Sequence, residues 1–174
     1  MMLDMAANAT MNSVADYLRM NDKPAFEYRD GELTQKHMPT RKHSLLQHRI
    51  SELIMRLFAQ YESLGEMHVR LRADRYLIPD VAVQPRSHIQ DPYPTEPIPL
   101  CVEILSPDDR FGEVVTKCEE YHEWGVPMTW IVDPESRVAW EYAKGGRVHE
   151  IPAEGSITAS DIVIPVASIF EVLD

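Results

Sequence analysis

Apolar residues recur at helical spacing in two stretches of this chain. Elsewhere they alternate with polar ones or run together. In "MPTRKHSLLQHRISELIMRLFAQYESLG", Leu46, Ile50, Leu53, Ile54 and Leu57 share one helical face. This predicts a long amphipathic helix, capped by Thr40 and stopped at Gly65. A second helix is predicted for "DRFGEVVTKCEEYHEWG", with Asp108 or Asp109 as cap, Gly125 as stop, and Val114, Cys118 and Tyr121 as its apolar stripe. "EMHVRLRA", "YLIPDVAVQ", "PLCVEIL" and "PMTWIVDP" read as strands, the first by alternation and the others as apolar runs. Two hairpins are expected, "FEYRDGELTQKH" turning at Asp30-Gly31 and "RVAWEYAKGGRVHEI" turning at Gly145-Gly146. The tail "SDIVIPVASIFEVL" predicts a final strand and a short helical turn.

Two stretches fall outside these patterns. "QPRSHIQDPYPTEPIP", residues 84–99, holds five prolines in sixteen positions and must be a loop. Residues 1–24 are polar and Met-rich. They read as an N-terminal extension, partly flexible, with one short helix near "VADYLRM", ahead of a single domain over 25–174. The element order predicts an α/β (α+β) fold with a central mixed β-sheet flanked by helices.

Composition changes this picture little. The chain has 174 residues, 44% hydrophobic and 26% charged, which fits one globular domain with a core. No apolar run approaches bilayer length, and the N-terminus lacks a basic start followed by an apolar block, so a cytoplasmic protein without membrane attachment is expected. Cys101 and Cys118 lie in an apolar strand and a helix, and are expected to be buried free thiols. The net charge of −11 argues against non-specific coating of nucleic acid. The distribution is more informative. Residues 36–75 carry eight Lys/Arg against four Asp/Glu, whereas residues 76–174 carry six against eighteen. A polyanion would therefore meet the first helix and the strand after it, unless that basic character is only a solvated helix face.

Glu103 poses the chemical question. It sits inside "LCVEIL", where a carboxylate is costly unless paired, and its partner could be a lysine, a metal ion or water on an open face. Alternation places Glu103 with Cys101 and Leu105, opposite Leu100, Val102 and Ile104. Asp80, after Pro79, interrupts "YLIPDVAV" in the same way. Two carboxylates on neighbouring strands repel unless a cation joins them, and Mg²⁺ suits one or two carboxylates plus water and phosphate. Lys117 is the one lysine between residues 43 and 143, on a helical stripe with Glu113 and Tyr121. It could reach the acids from above the sheet. Taken singly, each feature has an ordinary structural explanation: a strand-starting Pro-Asp, a wet-face glutamate, a surface lysine pair. His43 could approach a phosphate or the site, or simply cap its helix; Tyr121 could support the site or pack in the core. The five histidines 37, 43, 48, 68 and 122 show no metal-ligand spacing. No nucleophilic serine elbow, phosphate-cradling glycine loop or dinucleotide fingerprint is visible.

Together, in this order, the features resemble the PD-(D/E)XK nuclease superfamily: Pro-Asp at a strand, a long connection, an acid in an apolar strand, then a helix with a lysine. Within it, "FEYRDGEL", "KHSLLQHRI", "IPDVAV", "CVEILSPDDR", "KCEEYHEWGVPMTWIVDP" and "ASIFEVL" are similar to the Uma-type restriction endonuclease family, a domain of unknown function. The resemblance covers residues 26–172. It implies a restriction-endonuclease-like fold, Asp80 and Glu103 as metal-binding acids, and Lys117 as the catalytic lysine. One departure stands out: the superfamily pattern puts a lysine two residues after the second acid, where this chain has Leu105. The resemblance implies that the lysine's role has passed to the following helix, to Lys117. The implied activity is Mg²⁺- or Mn²⁺-dependent hydrolysis of DNA phosphodiesters, with the Ile104 carbonyl as a further ligand and a homodimer as the form that cuts both strands. Arg41, Lys42, Arg49, Arg70 and Arg72 are candidates for phosphate contacts. Two other readings stay open. One is a non-catalytic nucleic-acid-binding or regulatory module that retains the fold; the other is a hydrolase of smaller phosphoesters.

Overall fold

The computed structural model describes residues 13–143 and 145–174; the first twelve residues of the expected N-terminal extension lie outside them. The short helix near "VADYLRM" is α1 (Val14–Tyr17), and it drops Tyr17 between Tyr28 and Tyr76. Strands β1 (Phe26–Arg29) and β2 (Glu32–Gln35) form the first expected hairpin. Its turn residues Asp30 and Gly31 both have positive φ, 53° and 96°, as the twist-matched two-residue hairpin turn requires.

Helix α2 (Arg41–Leu57) starts as expected, with Thr40 Oγ1 accepting from the His43 N–H at 3.2 Å. It does not continue to Gly65. Its apolar face has left the core by Leu57, which is half exposed. The following residues, Tyr61–Gly65, form β3, where Tyr61 and Ser63 are buried at a period of two. Gly65 ends a strand, not a helix.

Strands β4 (Val69–Arg72) and β5 (Arg75–Leu77) follow, then β6 (Val81–Pro85) and β7 (Leu100–Ile104). "YLIPDVAVQ" is therefore two strands, not one. Pro79 has no N–H to give a ladder, and the chain changes sheet across Ile78-Pro79-Asp80. Of the loop expected over residues 84–99, Gln84 and Pro85 instead close β6, residues 86–99 hold no helix or strand, and Gln90 organises them: its side chain accepts from the N–H groups of Thr95 and Glu96 and donates to the Glu96 carbonyl.

Helix α3 (Phe111–Trp124) begins two residues past Asp109, the later of the two expected caps. Arg110 occupies the cap position without a side-chain bond, because Asp109 is used elsewhere: it accepts from the Ser106 N–H at 2.7 Å and meets His37. Gly125 ends the helix at φ 123°, where a Cβ would also come within 2.7 Å of Pro97. Strand β8 (Met128–Asp133) and the hairpin β9 (Val138–Ala143) and β10 (Arg147–Ile151) match expectation. The tail holds one strand more than expected. β11 (Ser156–Ala159) pairs with β12 (Ile162–Pro165) before the short helix α4 (Val166–Phe170).

Among the described residues the strands make three sheets. The central one is mixed, in the order β10-β9-β8-β7-β6-β3, and only its β7–β8 pair is parallel. Helix α3 supplies the crossover that a parallel pair requires. A smaller antiparallel sheet, β2-β1-β5-β4, carries the first hairpin; β11 and β12 make the third. Helix α2, the β11–β12 hairpin and α4 bury one face of the central sheet with Leu100, Val102, Ile104 and Trp130. Helix α3 covers the other face, where Cys101 and Tyr121 pack with Val69 and Leu77, and Cys118 with Ile131 and Tyr142. Both thiols are buried and free, as expected. The alternation read from "LCVEIL" holds, and it turns Glu103 towards α3.

Candidate active site

Strands β6 and β7 run antiparallel with Val81 opposite Val102, so one further step brings Asp80 alongside Glu103. Asp80 lies at the break after Pro79, just before the β6 ladder begins. Its carboxylate stays on the cleft side, and its Oδ2 accepts from the Ile104 N–H at 2.7 Å. Both acids are buried. Lys117 comes down from α3 and places its Nζ 2.9 and 3.0 Å from the two Glu103 oxygens. The three residues singled out in the sequence thus meet on one side of the sheet. They line a cleft of about 310 Å³ between α3, the first hairpin and the start of α2.

The structure brings four further groups to the same place. Lys36, just past β2, donates to Asp80 Oδ1 at 2.7 Å and to the Ile78 carbonyl at 3.1 Å. Glu27, in β1, accepts from Lys117 at 2.7 Å, from Arg29 at 2.9 Å and from the Ile78 N–H at 2.9 Å. His43 is buried, and its Nε2 lies 3.2 Å from Asp80 Oδ2. Its backbone joins the α2 cap, as the capping reading held, but its ring faces the acids. Tyr121 packs in the core and also donates to Glu103 Oε1 at 2.7 Å, so both readings of it describe part of its role.

Glu27 carried little signal, since it alternates with Phe26 and Tyr28 as the outward residue of a hairpin strand would. Lys36 carried none. It lies in a polar run after the hairpin, and only the docking of the small sheet against the large one brings it near Asp80.

Electrostatics separate the acids. Burial raises the Glu103 carboxyl, Lys117 opposes this, and Asp80 and Glu27 add to it, pushing the group up to about 7. Burial also acts against the Asp80 charge, but Lys36 and the His43 contact outweigh it and hold Asp80 below the ordinary range. Glu27 is likewise held low, burial being overcome by Lys117 and Arg29. Burial disfavours the Lys117 ammonium, yet Glu103, Glu27 and Asp80 together hold its pKa above the usual lysine range. Glu103 is therefore the acid of the three whose charge is least favoured, while Lys117 stays charged. Burial pushes both thiols up, Glu103 adding to the effect, so neither is an activated nucleophile.

The candidate phosphate contacts are mostly engaged within the protein. Lys42 pairs with Glu135, Arg49 with Glu52 and Glu171, and Arg72 with Asp30 and Asp74. Arg41 is exposed at the start of α2, and Arg70 lines a hollow beside the Pro-rich loop. Among the described residues, no three His, Cys, Asp or Glu side chains are arranged to hold a metal ion. None of the helices there is long and apolar enough to cross a membrane.

Comparison with known proteins gives two findings. The model of the Uma2 family, described as "Putative restriction endonuclease", matches residues 14–168. Among solved structures, a protein of Anabaena variabilis ATCC 29413 described as "a putative nuclease belonging to DUF820" superposes with a TM-score of 0.81. The two chains are 22% identical, over 94% of this chain and 99% of the other, which establishes a common fold. No curated protein matches.

Proposed function

The chain belongs to the Uma2 restriction endonuclease family, and from that premise we propose that Asp80, Glu103 and Lys117 form the hydrolytic centre of a Mg²⁺- or Mn²⁺-dependent DNA endonuclease. The observation that carries this reading is the meeting of two buried acids from adjacent strands with an ammonium at an open cleft. Structural ion pairs rarely need three buried carboxylates in contact with one another's counter-ions, because each adds a desolvation cost.

The donor set fits a hard divalent ion. Such ions take oxygen ligands, and Mg²⁺ is commonly held by one or two carboxylates with water and substrate phosphate completing the shell. Asp80 and Glu103 are those two carboxylates, and two acids without a third ligating side chain agree with that habit. When bound, the ion supplies Lewis acidity at the phosphate and lowers the cost of forming hydroxide at neutral pH.

The protein's own groups do the rest. The Ile104 N–H and His43 fix the Asp80 carboxylate, and the Tyr121 hydroxyl fixes Glu103. Lys117, anchored by Glu27, is placed to orient the attacking water and to offset charge growing on the phosphoryl oxygens. Supercoiled plasmid, incubated with and without Mg²⁺, tests the reading. Asp80→Ala and the near-isosteric Asp80→Asn should each lower ion-dependent cleavage by at least about 100-fold while the circular dichroism stays that of the parent. Parent-like cleavage by both variants overturns the assignment.

One observation favours the second reading, a regulatory module that retains the fold: three of the five candidate phosphate contacts are spent on internal acids. Calorimetric titration with Mn²⁺ separates the two, since a module of that kind has no need to hold the ion.

A further inference from the structure

Lys36 touches Asp80 directly, yet neither the sequence pattern nor the proposed hydrolysis uses it. Its backbone is fixed at the base of the hairpin, where its N–H donates to the Ala25 carbonyl at 2.9 Å. Its side chain crosses from the small sheet to Asp80 and keeps some exposure to the cleft, 14% against 4% for the Asp80 side chain.

Asp80 does not depend on this lysine for its position. Oδ2 already takes the Ile104 N–H and His43, and only Oδ1 is given to Lys36. A second observation concerns like charges. The Nζ atoms of Lys36 and Lys117 each donate to the same Ile78 carbonyl at 3.1 Å, so two ammoniums crowd one oxygen. They are tolerated because the carboxyl groups of Glu27, Asp80 and Glu103 surround them. A dication joining these acids would leave the group over-positive, with three cationic centres in mutual contact. One ammonium must then give way. Lys117 is held by two carboxylates, Glu27 and Glu103, whereas Lys36 is held by one.

Resting on the metal-dependent reading above, we propose that Lys36 is a positioning residue that competes with the divalent ion for Asp80: its ammonium holds Oδ1 while no ion is bound and is displaced when one binds. Lys36 then offsets the Asp80 charge in the unloaded protein, and its displacement frees a cation at the mouth of the cleft, where a phosphate backbone would arrive.

The test is Mn²⁺ titration calorimetry on the full chain. Lys36→Met keeps the aliphatic stem and removes the charge; it should bind Mn²⁺ about tenfold more tightly than the parent, because a competing cation is gone. Lys36→Arg should stay within about threefold of the parent. A lysine serving only the fold predicts the opposite, since disordering Asp80 would weaken the ion. On the unaltered protein, reductive methylation read by peptide mass spectrometry gives an independent measure that needs no variant. Lys36 should react several-fold faster with saturating Mg²⁺ than without. If the parent binds Mn²⁺ but Lys36→Met binds no tighter, or if Mg²⁺ leaves the Lys36 methylation rate unchanged or slower, this proposal is overturned while the metal reading stands. If the parent takes up no Mn²⁺, both fall together.

Discussion

At the scale of single residues, burial and pairing divide three similar carboxyls into different roles. Glu27 and Asp80 are held ionised by cations that outweigh their desolvation. Glu103 is pushed up to about 7 because burial and two neighbouring acids exceed what Lys117 returns. The sign of its effect on stability follows. Between the ordinary carboxylate range and about 7, the folded chain keeps a proton on Glu103 that the unfolded chain has released. Folding therefore loses stability as pH rises through that window, by up to about 3 kcal/mol from this group. Asp80 and Glu27 act oppositely, their contributions being lost as pH falls below the usual carboxylate range. Glu103→Gln removes the first slope. Urea unfolding at pH 5 and pH 7.5, without divalent ions, should show the variant gaining on the parent as pH rises; a constant difference would contradict the raised Glu103.

At the scale of elements, the site depends on where three segments begin. β6 starts one residue after Asp80, α2 starts two residues before His43, and the polar run carrying Lys36 starts where β2 ends. The α2 start is set by Thr40, which satisfies a backbone donor that the first turn leaves without a partner. That donor belongs to His43, so the cap also fixes the ring beside Asp80. Thr40→Ala should cost about 1 kcal/mol in chemical denaturation, and Thr40→Ser should restore most of it. A cost within error of zero would show that packing of Leu46 and Ile50 alone holds the helix start. The helix and strand boundaries misplaced from sequence have local causes. α2 yields to β3 once its apolar face passes the core edge at Leu57, and Asp109 is drawn from the α3 cap by Ser106 and His37.

At the scale of the whole molecule, charge constrains how a nucleic acid could be held. The chain carries −11, and most of its basic residues near the cleft answer to acids within the fold. Affinity for DNA grows with the number of phosphates neutralised, and so does its sensitivity to salt. With Arg41 exposed beside α2 and few other basic groups uncommitted among the described residues, the dependence of log K on log salt should be shallow, with a slope magnitude below about 3. Filter binding of a short duplex across a salt series, with Ca²⁺ in place of Mg²⁺, checks this. A steep slope would mean that the internal ion pairs open to release their arginines.

The sequence by itself determined the period-two and period-3.6 elements, the face on which Glu103 lies, and the acids and lysine that stand out against apolar surroundings. These follow from local chemistry, since a carboxylate in an apolar run or a glycine at a turn is unusual whatever surrounds it. It also carried the family resemblance, through motifs spread along most of the chain. Only the tertiary structure decided that "YLIPDVAVQ" serves two sheets and that "SITA" pairs with the final strand. Only it showed that the basic residues after the hairpin are largely answered by distant acids. It alone brought Glu27 and Lys36 to Asp80 and Glu103, over separations of 51 and 44 positions for the Glu27–Ile78 and Lys36–Asp80 contacts. The reason is physical: an ion pair between remote residues depends on distance and burial, and neither is set until the two sheets have docked.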